Sequence, residues 1–202
     1  MHPNPNFAWT NRSEMLDFMS RRAFAHIFVS GPTGARVLHA PVIVTDAGRV
    51  QFHVARRNRA AATIADQEVL ISVSGRDAYQ SANWYVSDDQ VPTWHYEAVE
   101  VEGRARIMGE PELVAHLDLL SDTMERRFSP ERPWTRDKMT AGKFEAMIKA
   151  IIGFEIDPIE IRGTRKFNQH KSAGDRAATI AGQRAAGRAD VVAAIHEAAS
   201  GG

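Results

Sequence analysis

The stretch VPTWHYEAVEVEGRARI, residues 91–107, changes character halfway along. In its second half Val99, Val101, Gly103, Ala105 and Ile107 alternate with Glu100, Glu102, Arg104 and Arg106. That is the period-two pattern of a strand with one face in a core and the other in water. Continued backwards, the alternation puts His95 and Glu97 on the apolar face and sends Trp94 and Tyr96 to the face that later carries the charges. A long strand is predicted over 93–108, and its first residues need something other than water against their outer face.

The flanking sequence reads mostly as hairpins. AHIFVSG (25–31) is a strand, GPTG a turn and 35–46 a second strand, with Asp46-Ala47-Gly48 turning into RVQFHVA. Pro41 lacks an N–H, which points to a sheet edge or bulge at that place. EVLISVSG (68–75) reads as a buried strand followed by a loop rich in Ser, Asp and aromatic residues. Asn11 with Glu14 caps a helix through Arg22, and Asn58 caps a short Ala-rich helix ending near Asp66. Beyond the long strand, Pro111 opens a helix over 112–127 with Leu113, Leu117 and Leu120 on one stripe. A Pro/Trp loop then leads to a helix over 140–152 stopped by Gly153. FEIDPIEIRG is a last strand interrupted by proline. From Ser172 onward two weak helices show no apolar face fit for a core, so a domain over 1–171 with an Ala/Gly-rich helical tail over 172–202 is expected. Hairpins outnumber βαβ units, which predicts a mainly β fold with α elements, an antiparallel barrel or sheet with helices at its ends.

Composition removes several functions. Lys plus Arg and Asp plus Glu number 25 each, a formal net charge of zero, so no global basic field draws nucleic acid. The chain has no cysteine, which excludes disulfides, thiol nucleophiles, iron–sulfur clusters and zinc–cysteine sites. G-x-G-x-x-G and Walker loops are absent, as are H-E-x-x-H and any nucleophile elbow. His95 with Glu97 offers two metal ligands, too few for zinc. His26 and His39, in apolar strands, read as satisfied sheet histidines. The first residues lack the basic region and apolar run of a secretory signal, and no run of apolar residues spans a membrane, so a cytoplasmic protein with no membrane partner is expected.

Three clusters carry what chemistry there is. Five of the seven Trp and Tyr residues (Tyr79, Trp84, Tyr85, Trp94, Tyr96) fall within eighteen positions. Such side chains suit places that are partly apolar and partly wet, either a plug over a barrel end or a ligand pocket or interface. In FHVARRN, His53 leaves its strand on the face opposite Phe52 and Val54, and Arg56, Arg57 and Asn58 sit at the strand-to-helix junction, as an anion site or a solvated basic turn. In RKFNQHK, Lys166, Asn168 and Gln169 are donors for a phosphate or carbonyl, or simply a polar strand exit.

With these residues in view the chain resembles the PaiB family, the FMN-binding negative transcriptional regulators. The likeness runs from MHPNPNF to about Gln183 through LHAPVIV, FHVARRN, YQSANWY, VPTWHYEAVEVEGRARI, MIKAIIGFEI and KFNQHKSAGDR, in that order. The family commonly has Ser-Pro-Ser-Trp-Tyr where this chain has Ser81-Ala82-Asn83-Trp84-Tyr85, and Asn where it has His95. It commonly has Ser-Gln-Asn in place of Asn168-Gln169-His170, and a shorter tail. The resemblance implies an FMN-binding split barrel, a Greek-key antiparallel barrel with peripheral helices, working as a homodimer with flavin at the subunit interface. It implies that Arg56, with His53 and Asn58, holds the FMN phosphate. Backbone groups of His39, Ala40, Pro41 and Val42 would meet the isoalloxazine edge. Trp84, Tyr85, Trp94 and Tyr96 would form the apolar wall, and Lys166 and Gln169 would add polar contacts. No residue announces itself as catalytic. A transcriptional regulator is the implied function, although net charge does not support DNA as a partner. The alternative is a flavin-dependent oxidoreductase using NAD(P)H, and a haem-handling barrel ranks last.

Overall fold

The alternation of residues 93–107 is realised as one uninterrupted strand. The computed structural model describes residues 1–31 and 34–200, the side chain of Ser200 excepted. The elements in chain order are β1 (Ala8–Trp9), α1 (Arg12–Arg22), β2 (Phe24–Gly31), β3 (Gly34–Val44), β4 (Val50–Ala55), α2 (Ala61–Ile64) and β5 (Glu68–Gln80). There follow β6 (Thr93–Ile107), α3 (Glu110–Phe128), α4 (Lys143–Ile148), β7 (Ile151–Ile156), β8 (Glu160–Lys166), α5 (Ala173–Ala185) and α6 (Ala189–Ser200). The predicted GPTG turn has its Pro32 and Thr33 outside the described residues, though Gly31 and Gly34 close the β2–β3 ladder on either side. Among the described residues no helix is long and apolar enough to cross a membrane.

The chain divides into two compact units. A barrel unit holds Arg12–Val73 and Val101–Ile161, and a terminal unit holds Met1–Asn11, Ser74–Glu100 and the residues from Arg162 onward. In the barrel unit the strands follow the hydrogen-bonded order β5-β2-β3-β4-β7-β6. The pairs β2–β3, β2–β5, β3–β4, β4–β7 and β6–β7 are all antiparallel. Ala105 of β6 closes the ring: its carbonyl accepts from Asp66 N and its N–H donates to Gln67 O, both at 2.9 Å, just before β5 begins. Closure leaves no free edge at that seam. Ile27, Val42, Val50, Phe52, Ile71, Phe154 and Ile156 fill the interior. Phe52 and Phe154, opposite each other in the β4–β7 ladder, stack with centroids 5.4 Å apart.

Pro41 sits where β3 changes partners. Residues up to Pro41 pair with β2, and pairing with β4 begins only at Val42. The missing N–H is therefore tolerated at an edge that lasts for part of the strand.

Two expectations near β7 are corrected. The helix predicted over 140–152 is α4 alone, and Gly153 does not stop it but lies inside β7 opposite His53. A Cβ at Gly153 would stand 2.8 Å from Leu113 Cδ1, so the glycine is there to let α3 come close. The single proline-interrupted strand is really two, β7 and β8, with Pro158 in the connection.

In the terminal unit the order is β1-β8-β6-β5. β1, two residues long, was not expected; Ala8 and Trp9 pair with Thr164 and Gly163. The tail is also corrected. Val191, Ala194 and Ile195 of α6 are buried with Ala78 and Phe167, and Ile180 and Ala198 pack beside them. Residues 191, 194, 195 and 198 share one helical face, and the small alanines on it let the helix approach closely.

Candidate functional site

Six of the residues that the sequence points to lie in the terminal unit, and its long strand answers the opening puzzle. His95 is 0% and Glu97 4% exposed, while Trp94 on the other face is 50% exposed. Glu97 is held in the core by Arg76, whose Nε and Nη2 donate to its two carboxylate oxygens at 2.8 and 3.1 Å. The same guanidinium reaches Glu197 of α6 at 2.6 Å. His95 packs edge-on to Phe167, centroids 5.8 Å apart, and burial pushes its pKa down to about 4. Outside, Trp94 Nε1 donates to Asp77 Oδ1 at 2.9 Å and its ring meets that of Tyr79, itself half exposed. Tyr96 is half-buried, and that burial raises its phenol pKa.

Trp84 closes the 3-10 turn Ala82–Trp84 and lies flat against α5, where a Cβ on Gly182 would come within 2.4 Å of its ring. Tyr85 donates from its hydroxyl to Asn168 Oδ1 at 3.2 Å, and Lys171 stands over its ring. Asn168 in turn donates to Thr179 Oγ1 at 3.1 Å, with a backbone in the left-handed region at φ 61°. Gln169 is fully engaged: its amide nitrogen donates to Asn6 O and Arg165 O, and its oxygen accepts from Phe167 N. It therefore ties the MHPNPNF segment down. Lys166 Nζ donates to Thr93 Oγ1 at 2.7 Å and stands over Phe7, with burial lowering its pKa.

The other seven residues lie in the barrel unit. Ala40 and Val42 point into the core, Pro41 is half-buried and His39 is exposed. His39 stands directly opposite His26, the rings edge-to-face at 4.9 Å. Both imidazoles reach the surface, His39 fully and His26 in part, where solvent can meet their ring nitrogens. Arg56 follows β4 and turns back over the end of α4, donating from Nε to Lys149 O at 3.2 Å and from Nη2 to Ile151 O at 3.0 Å. It lines a concavity of about 420 Å³ with Met108, Leu113, Lys149 and Gly153. Among the described residues Arg56 Nη1 and Lys149 Nζ are uncommitted, so the concavity offers cationic donors to an anion. Asn58 Oδ1 accepts from Ala60 N at 3.0 Å and so leads the chain into α2, two residues before the N-cap position, which Ala60 occupies.

His53 is half-buried on the outer face of β4. Its Nδ1 is 3.0 Å from Nε2 of His116, a residue that sequence reasoning missed. His116 is 1% exposed, and burial, then the neighbouring His53, brings its pKa down to about 4. The signal was present: Leu113, Leu117 and Leu120 announced the stripe, and residue 116 lies on it. Among the described residues no group of three or more His, Cys, Asp or Glu converges as a metal site would require.

Comparison with known proteins agrees with this architecture. The family described as "Putative FMN-binding domain" matches residues 1–160. The chain is 28% identical over 173 residues to the protease synthase and sporulation protein PAI 2 of Bacillus subtilis (strain 168), covering 84% of this chain and 82% of that protein. Its fold is similar to that of the FAD and heme binding protein from Mycobacterium smegmatis, with a TM-score of 0.59 and 14% identity over 79% of this chain and 73% of that one. The flavocytochrome Anf3 from Azotobacter vinelandii gives 0.59 and 13% over 82% and 72%. The fold is the flavin-binding split barrel.

Proposed function

The chain belongs to the FMN-binding domain family and FMN is its cofactor; on that premise we propose that it acts as a homodimeric, FMN-dependent negative regulator of transcription of the PaiB type. The observation that carries the flavin part is the concavity beside Arg56. It combines an unspent guanidinium nitrogen and the Lys149 ammonium, which outnumber the one carboxylate of its lining, Glu110, with apolar walls from Met108 and Leu113, a set that suits a phosphate with an organic tail. Arg56 and Lys149 would hold the phosphate from the concavity, and His53, which lies on β4 just before Arg56 and is not part of that lining, would add a donor from beside it. When bound, FMN supplies one- and two-electron chemistry, and the chain's part is to bind and orient it.

The outer face of the β2–β3 hairpin supports the dimer. Phe24 opposite Pro41, His26 opposite His39 and Phe28 opposite Val37 form three rungs of an apolar, aromatic stripe, with Phe24, Phe28 and Val37 all exposed. Such a stripe on a strand surface suits a second copy. Zero net charge argues that any DNA contact is local, or that control runs through flavin state or a partner protein.

The test is a light-scattering mass of the purified chain with FMN bound, followed by titration with duplex DNA at low and physiological salt. A dimer that binds DNA and releases it with salt supports the regulator. A monomer, or a dimer that ignores DNA but bleaches with NAD(P)H, refutes it, the latter in favour of an oxidoreductase.

A further inference from the structure

His53 is half-exposed and His116 is not, so the pair reaches the surface through His53. The approach is built into the fold. Gly153 faces His53 across the β4–β7 ladder, and because it has no side chain Leu113 settles over it, bringing His116 one turn further along α3 onto His53. The rings meet edge-to-face, centroids 5.2 Å apart.

Two neutral imidazoles at this distance share one proton between the facing nitrogens, which leaves two arrangements. If His53 Nδ1 donates, the remaining proton of His116 sits on its own Nδ1, a buried N–H with no protein partner. If His116 Nε2 donates, that buried atom is a bare lone pair, and the proton of His53 sits on Nε2. An orphaned buried N–H is the rarer and costlier outcome. The second arrangement also makes the outward nitrogen of His53 a donor, which is what an anion needs.

We propose that His116 is a positioning residue for the flavin phosphate: by donating from Nε2 to His53 Nδ1 it fixes the His53 tautomer that donates from Nε2 to a phosphate oxygen. Outer partners commonly set the tautomer of a ligating histidine in this way. The inference rests on the FMN reading, and in particular on the phosphate lying at the end of β4.

The test compares FMN with riboflavin, which lacks the phosphate, on the full chain. His116→Leu should weaken FMN about tenfold relative to riboflavin, the scale of one charge-assisted hydrogen bond. His116→Gln, whose amide can donate in the same direction, should keep most of the wild-type preference. Nitrogen NMR of the unsubstituted protein should find the His53 proton on Nε2. An unchanged FMN-to-riboflavin ratio in His116→Leu, equal loss of both flavins, or a His53 proton on Nδ1 each overturns the assignment. Wild-type protein that binds neither flavin removes the FMN reading and this inference with it. Wild-type binding that Arg56→Ala weakens, while the ratio in His116→Leu stays unchanged, removes the inference alone.

Discussion

The barrel unit and the terminal unit bury their strands by different means. In the barrel unit the described buried polar residues are His116 and Glu155 alone, and the interior is aliphatic and aromatic. In the terminal unit Gln80, His95, Glu97, Thr164, Asn168, Asp175, Thr179 and Gln183 are all buried. The contrast runs along one strand: the inward residues of β6 pass from His95 and Glu97 to Val99, Val101 and Ala105. An apolar interior gains free energy with every square ångström removed from water, whatever the partner. A polar interior gains only where each group is matched, as Glu97 is by Arg76. Asp175 is matched by Ser87, Ser172 and the Val86 N–H, its pKa held near 2 chiefly by the Ser87 hydroxyl. The barrel unit should therefore answer to volume, and the terminal unit to pairing and pH.

The largest effect is expected in the barrel. Phe154→Ala removes half of the stacked pair and should cost about 3–5 kcal/mol, read as a fall in the urea midpoint. A loss no larger than that of a surface substitution would mean the interior is not continuous there. In the terminal unit Arg76→Leu leaves the buried Glu97 carboxylate short of its main partner and should cost about 3 kcal/mol. Adding Glu97→Leu should recover most of the loss, and a double variant as weak as the single would show that the charges matter less than their packing.

Acid gives the next effect. The folded pKa of His95, about 4, lies below its ordinary value of 6.5, so the unfolded chain takes up the proton first. The stability tied to its neutral form is complete above about pH 6.5, falls as pH drops toward 4, and levels off below. At about 1.4 kcal/mol per unit of pKa difference, this sets an upper bound of about 3.5 kcal/mol. His95→Asn should flatten the urea midpoint between pH 7 and 5, leaving the share that His116 contributes from the barrel. A slope unchanged in His95→Asn would place the titrating group elsewhere. Smallest of all, Asp122→Ala, which breaks an exposed pair with Arg126 on α3, should not measurably move the midpoint.

Most of the barrel was legible because its strands alternate cleanly: β2, β3, β4 and β6 lie within a residue or two of expectation. What escaped lies where tertiary contacts override local pattern. Gly153 has the look of a helix stop, and only the nearness of Leu113 explains it as a strand residue. The tail looked too alanine-rich for a core, yet small side chains are what let Val191 and Ile195 reach Phe167. β5 continues five residues past its apolar run, and its buried positions change phase there, from Val69, Ile71 and Val73 to Ala78 and Gln80, a shift that period two cannot signal. Of the candidate site residues, the exposure of Trp94 could be read from period two alone. The engagement of Gln169 with Asn6, more than 160 positions earlier, could not, since nothing local signals it.

The central claim is that this chain holds FMN through the concavity beside Arg56. Titration of FMN into the flavin-free protein, followed by quenching of the flavin fluorescence, tests it directly, with Arg56→Ala alongside. Saturable binding by the wild type, weakened at least tenfold in Arg56→Ala by loss of a charge-assisted contact, is the predicted result. Equal affinity in the two proteins would contradict the placement, and no binding by either would contradict the function.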